Sequence, residues 1–267
     1  MKNNQTIFIG GSGRSGTTLL RVILDSHPNI YCGPELKVTP LIAQLHLDLQ
    51  ASSPALKAYQ LSNQDLQHLC QQMLLTLTQR ALQSSSKQRL AEKTPTNGRF
   101  FQQIHYLFPQ SPLVQVIRDG RDVVCSLLKM DWVDPSTNQP LDYTRDFQKA
   151  CLYWKDEVLS SRLVQKIPSS QGRYIEIKYE DIVATPESTL KNLFEFIEEP
   201  WDPIVLNFSE IKRDLNSESS ANQVNKKLYS SSVSRWKNEF TPDMKAKFKE
   251  IAGDLLIELN YEKNNDW

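Results

Sequence analysis

The chain has 267 residues, with 31 Lys plus Arg against 31 Asp plus Glu, so its net charge is zero. A balanced charge exerts no global pull on nucleic acid or an anionic membrane, but an anion pocket responds to the local field and is not excluded. Apolar residues make up 39% of the chain, enough for one large α/β core, since single cores stay viable up to roughly 250–300 residues.

Cys32, Cys70, Cys125 and Cys151 form no CxxC pair. They read as small buried or half-buried side chains, not as a disulfide scaffold or a thiolate zinc site. The apolar start, Thr6 to Ile9, is too short for a signal-peptide core, and no later run reaches 18 apolar residues. The expectation is a cytoplasmic protein without stable membrane insertion.

In chain order, Thr6 to Ile9 reads as a buried strand, and a glycine-rich segment follows it. Leu19, Leu20, Ile23 and Leu24 recur on one face of a helix over 17–26. His27-Pro28-Asn29 breaks it. A second helix is expected over 35–49, bent at Pro40, and 51–54 reads as a loop. The helix expected over 64–82 carries Leu66, Leu69, Cys70, Met73, Leu74 and Leu77, with Met73 filling core space. Leu90-Ala91 reads as a short strand leading into Glu92-Lys93-Thr94-Pro95, followed by a helix over 97–107. Leu113 to Ile117 is a strong strand candidate, running into Arg118-Asp119-Gly120-Arg121 and a helix over 122–129. Residues 131–142 form a surface loop and 143–164 a long helix. A strand over 174–178 ends at Tyr179-Glu180-Asp181, and Pro186 opens a helix to Phe196. Residues 207–232 are polar and weakly patterned, and Thr241 caps a last helix to about Leu259. Strands alternating with helices imply a three-layer, P-loop-like α/β fold with a mostly parallel central sheet, in one domain over 1–267. Ligands in such sheets gather beyond the carboxyl ends of the strands.

Three groups of residues carry candidate chemistry. Gly10 to Thr18 is nearly a phosphate-binding P-loop, with Thr17-Thr18 in the place of Lys-[Ser/Thr]. Without that lysine the loop is poorly built to split a triphosphate. It can still cradle a phosphate through backbone N–H groups, the helix N-terminus and donors from Arg14, Ser15, Thr17 and Thr18, while Gly13 and Gly16 permit close approach. Arg118, just past a buried strand, can clamp a second phosphate, and Ser126 lies two helical turns further on. Pairing of Arg118 and Arg121 with Asp119 or Asp122 is the structural alternative. Glu35 reads either as a general base or as a first-turn helix carboxylate. Lys93 reads either as a cation for a leaving group or as an exposed lysine beside Glu92.

These residues together resemble the sulfotransferases that use 3′-phosphoadenosine 5′-phosphosulfate (PAPS) and release 3′-phosphoadenosine 5′-phosphate (PAP). Within that superfamily the chain is most similar to the protein-tyrosine sulfotransferases and their bacterial relatives. The likeness is densest over 9–38, 92–94, 116–127 and 223–236. It implies that Gly13, Arg14, Ser15, Gly16, Thr17 and Thr18 hold the 5′-phosphosulfate, and that Arg118 and Ser126 hold the 3′-phosphate. It implies that Glu35 is the catalytic base, that Lys93 is the catalytic lysine, and that no metal takes part. It also implies that Lys226, Ser234, Arg235 and Trp236 close over the donor. Segments 36–90, 131–142 and 207–236 are the expected acceptor-site or lid regions. Where the tyrosylprotein branch has an acidic residue and two arginines, this chain has Pro34, Lys37 and Leu41. The expected acceptor is therefore a small or medium-sized hydroxylated molecule, with a glycan and peptide tyrosine as the alternatives. Monomer and homodimer both stay open. Two rivals share the loop logic: a small-molecule kinase, which lacks its lysine and metal-holding acid here, and a noncatalytic anion-binding module.

Overall fold

Apolar strands buried on both faces form the centre of the molecule. The computed structural model describes residues 5–134, 136–211, 228 and 232–267. Lys226 and most of the polar 207–232 segment lie outside the described residues. In chain order the elements are β1 (Ile7–Gly11), α1 (Thr17–Ser26), β2 (Ile30–Tyr31), α2 (Thr39–Ala51), α3 (Ser53–Ala58), α4 (Asn63–Gln83) and β3 (Arg89–Lys93). A 3₁₀ segment (Pro95–Phe100), α5 (Phe101–Leu107), β4 (Leu113–Ile117), α6 (Gly120–Leu127), α7 (Phe147–Arg162) and β5 (Tyr174–Lys178) follow. The chain ends with α8 (Tyr179–Ala184), α9 (Pro186–Phe196), α10 (Trp236–Glu239) and α11 (Pro242–Glu258).

The strands pair in the order β2-β3-β1-β4-β5, and every pairing among them is parallel. The chain leaves central β1 toward one edge, builds β2 and β3 there, then crosses to the other side for β4 and β5. Ile9 stands beside Lys93, and Gly11 beside Val116. The carboxyl ends of β3, β1 and β4 therefore lie side by side at the switch in strand order, where open α/β sheets bind ligands.

Side-chain alternation along β1 divides the core into layers. Ile7 and Ile9 pack with Leu20, Ile23, Leu193 and Phe194 of α1 and α9. Phe8 points the other way, onto Ile42, Cys70, Leu74, Phe101 and Ile104 of α2, α4 and α5. A further cluster of Ile117, Val124, Trp154, Phe248 and Leu256 ties α6, α7 and α11 to the sheet. All four cysteines are free and buried, as expected. Among the described residues, no helix is long and apolar enough to cross a membrane.

Several local expectations are corrected. The helix expected from Glu35 begins at Thr39, with Pro40 in its first turn and not at a bend, a position where the missing proline N–H costs nothing. Lys37 has φ 57°, a left-handed conformation through which no α-helix continues. Ser53 and Pro54, expected in a loop, instead open α3, with Pro54 in its first turn. The strand expected at Leu90-Ala91 runs on through Lys93, and the edge strand β2 was not foreseen. Met73 does not fill core space. It is 45% exposed, with Leu69 and Leu77 on the same side, while Leu66, Cys70 and Leu74 are buried.

Candidate active site

The turn after β1 is shaped by two left-handed residues. Arg14 has φ 70° and Gly16 has φ 96°, and the Ser15 amide closes the turn on the Ser12 carbonyl at 3.1 Å. Gly16 is required twice over. Its φ suits glycine, and a Cβ there would stand 2.5 Å from the Tyr179 ring. Gly16 is also the N-cap of α1, makes no side-chain cap, and is followed by no acid in the first turn. The first N–H groups of the helix are therefore left for an anion. Ser15 Oγ is buried and has no hydrogen-bond partner among the described residues.

The two phosphate motifs of the sequence meet in space. Because β4 lies beside β1, the turns after both strands come to one level, and Arg14 Nε donates to Ser126 Oγ at 3.0 Å. Arg118 is 6% exposed. Its Nη1 donates to the Arg14 carbonyl at 3.1 Å, its Nη2 to the Ser232 carbonyl, and its guanidinium lies 4.5 Å over the Tyr179 ring. Arg118 Nε is buried without a partner among the described residues. Ser15 Oγ and Arg118 Nε are thus two orphaned buried polar atoms in the turns that follow the neighbouring strands β1 and β4.

The structural alternative for the arginines goes to Arg121 alone. Arg121 donates to Asp119 at 2.9 and 2.7 Å, pairs with Glu262, and lies between the rings of Trp236 and Trp267 at 3.8 and 4.4 Å. Ser234 and Trp236 reach the site through their amides, which donate to the Asp122 carboxylate at 2.7 and 3.1 Å. Arg235 donates to the Asp122 carbonyl at 3.3 Å. Burial raises the Asp122 carboxyl above its ordinary range, against the pull of these amides. The Trp236 ring is buried on Arg121, Phe240 and Trp267, so it anchors the segment to the core.

Lys93 ends β3, one strand over from the loop. Its side chain is fully buried, and Nζ lies 2.7 Å from Glu35 Oε1 and 3.3 Å from Thr18 Oγ1. Lys93 is therefore not the exposed lysine of the structural alternative. Glu35 lies in irregular chain before α2, so it is not a first-turn helix carboxylate either, and its side chain stays 25% exposed. Neighbouring Glu92 turns to the opposite face and accepts from Thr39, Thr94 and Asn97 at 2.7–2.9 Å. Burial raises its carboxyl despite these donors. It secures the strand end beneath Lys93. Among the described residues, no group of three His, Cys, Asp or Glu is placed to hold a metal ion.

Two contributors escaped the sequence reading. Tyr179 supports both Gly16 and Arg118; its place at a strand's carboxyl end was the available signal. Tyr153, in the middle of α7 and 140 residues from its partner Gly13, carried none.

This geometry agrees with what the chain is similar to. Residues 6–203 match the model of the Sulfotransferase family, and the chain belongs to that family. It is 28% identical over 270 residues to Protein-tyrosine sulfotransferase A of Caenorhabditis elegans, covering 97% of this chain and 67% of that protein. The sulfotransferase domain of the Synechococcus PCC 7002 olefin synthase has the same fold, with TM-score 0.65, 23% identity and 96% of each chain covered. Mouse sulfotransferase SULT7A1, solved complexed with PAP, superposes with TM-score 0.57 at 17% identity over 95% of this chain and 85% of that one. The three-layer α/β fold and the sulfotransferase class expected from the sequence both stand.

Proposed function

We propose that the chain transfers a sulfuryl group from PAPS to a hydroxyl of a small or medium-sized acceptor by direct in-line displacement. The observation that carries this reading is the placement of Lys93 between Thr18 of the phosphate loop and Glu35, within hydrogen-bond reach of both. Gly13 to Thr18 hold the 5′ arm of the donor. Arg118 and Ser126 hold the 3′-phosphate, with Arg14 linking the two positions. PAPS supplies an activated sulfuryl group on a phosphate leaving group.

The chain's residues do the rest. Glu35, partly exposed, orients the acceptor hydroxyl and takes its proton as the new O–S bond forms. The bond from sulfur to the bridging oxygen breaks, and its electron pair stays on the departing phosphate oxygen. Lys93, fully buried, and the hydroxyls of Thr17 and Thr18 hold the charge that develops there. Arg118 fixes the far end of the donor, so remote binding aligns the reacting atoms.

Leu41 is 66% exposed on α2 in the place where acidic-peptide recognition would use a cation, which favours the small acceptor. A second reading, transfer to peptide tyrosine, rests on the 28% identity to a protein-tyrosine sulfotransferase. Incubation with labelled PAPS and a panel of phenols, alcohols, glycans and acidic tyrosine peptides tests both. Label on a phenol or alcohol supports the first reading, and label on the tyrosine peptides alone supports the second. No transfer, with no binding of PAP, overturns both.

A further inference from the structure

The least comfortable residue of the phosphate loop is Arg14, a non-glycine residue at φ 70°. Such a conformation persists only where its surroundings over-determine it. Two restraints are described above: the Arg14 side chain on Ser126, and the Arg14 carbonyl on Arg118. Both act through groups that also serve the 3′-phosphate position. A third restraint comes from elsewhere. The amide of Gly13, immediately before Arg14, donates to the hydroxyl of Tyr153 at 3.2 Å. This N–H is thereby turned out of the loop and fixed on α7. On the proposed reading the single 5′-phosphosulfate arm is held by the amides that follow it, so the loop's entry angle is set at this point.

Tyr153 is itself held. Tyr143 lies flat on its ring, with centroids 4.1 Å apart and planes within 10°. The Arg99 guanidinium stands 5.9 Å from its centroid and is paired with the buried Glu157, one helical turn beyond Tyr153. Trp132 closes on the same loop residue, since a Cβ on Gly13 would stand 3.2 Å from both its ring and the Tyr153 hydroxyl. Burial pushes the Tyr153 phenol above its ordinary range, which favours the neutral hydroxyl.

We infer that Tyr153 is a positioning residue of the phosphate loop: through the Gly13 amide it holds the loop in the shape that receives the 5′ arm of the donor. The inference rests on the sulfotransferase reading proposed above, but it makes a separate claim. Tyr153 acts on the 5′ arm through the Gly13 end of the loop, whereas Arg118 takes the 3′-phosphate directly.

The test is Tyr153→Phe, which keeps the ring and its stacking and removes only the accepting oxygen. Calorimetry uses two probes, adenosine 3′,5′-bisphosphate and adenosine 3′-monophosphate. Loss of one hydrogen bond should weaken the bisphosphate by about three- to tenfold and leave the 3′-monophosphate unchanged. With transfer activity in hand, kcat should fall at saturating donor while KM for the acceptor holds. A merely structural role would weaken both probes alike. Equal binding of the bisphosphate by variant and wild type overturns the inference, as does equal loss on both probes. Failure of the wild type to bind the bisphosphate instead removes the underlying sulfotransferase reading. If the variant does not fold, hydrogen exchange at the Gly13 amide of the unliganded wild type decides. Protection supports the anchor, and exchange as fast as in an unstructured glycine overturns it.

Discussion

Replacing Arg118 by alanine removes a buried guanidinium that joins the phosphate loop to the turn after β4. The guanidinium is 6% exposed, donates to two carbonyls, stacks on Tyr179 and leaves Nε buried without a partner among the described residues. Two hydrogen bonds at roughly 1 kcal/mol each and a cation–π contact of about 1 kcal/mol put the cost to the unliganded fold near 3 kcal/mol. Loss of a desolvated, charge-assisted phosphate contact costs about 2–5 kcal/mol in binding. That range corresponds to about 30- to 4,000-fold in Kd. The assay is calorimetry with adenosine 3′,5′-bisphosphate against adenosine 5′-monophosphate, on protein shown by thermal denaturation to be folded. Wild type should prefer the bisphosphate strongly, and Arg118→Ala should lose that preference. Arg118→Lys keeps the charge without the planar fork and should fall between the two. A variant that discriminates between the nucleotides as well as wild type would refute the assignment of the 3′-phosphate to Arg118.

Glu35→Gln should leave PAP binding intact and lower turnover by about 10²–10⁴-fold, read from initial rates at saturating donor; unchanged turnover with chemistry rate-limiting removes Glu35 as the base. Gly16→Ala should destabilise the fold by about 1–3 kcal/mol through its left-handed backbone and the Tyr179 contact, as measured by denaturant midpoint, and weaken every ligand that bears a 5′-phosphate. Burial raises the Glu157 carboxyl from 4.5 to about 7 despite its pairing with Arg99. Because the folded value lies above the unfolded one, this group's stabilisation is complete below pH 4.5 and is lost as pH rises through about 7. Wild type should therefore lose up to about 3 kcal/mol relative to Glu157→Gln between pH 5 and pH 8, and equal pH slopes in the two proteins would contradict the buried carboxyl.

The convergence of the candidate site residues was legible in the sequence where it depends on strand ends. Gly10 to Thr18, Lys93 and Arg118 each follow or end an apolar run, and a parallel sheet brings those ends together. Whether Arg118 and Arg121 would be tied up in ion pairs was not legible. Arg118 and Arg121 sit on either side of the same Asp-Gly pair, and it is Arg121 that pairs with Asp119 and Glu262 between the rings of Trp236 and Trp267. The α4 helix was recognised, but its apolar residues cover two sides of the cylinder. Periodicity could not say that Cys70 and Leu74 face α2 and α5 while Met73 faces solvent. Two-residue β2 is too short for any alternating pattern, and its strand character comes from pairing with Arg89 and Leu90. The anchoring of Gly13 by Tyr153 depends on a contact between distant parts of the chain, which no local pattern encodes.

Direct transfer is the central claim, and rapid-quench single turnover with ³⁵S-labelled PAPS and a reactive acceptor tests it most directly. With Glu35 as the base and Lys93 beside the leaving oxygen, label should pass from donor to acceptor at one rate, with PAP appearing in step and no label ever held on the protein. Label trapped on the protein before product forms, or PAP released ahead of acceptor sulfation, would contradict the account.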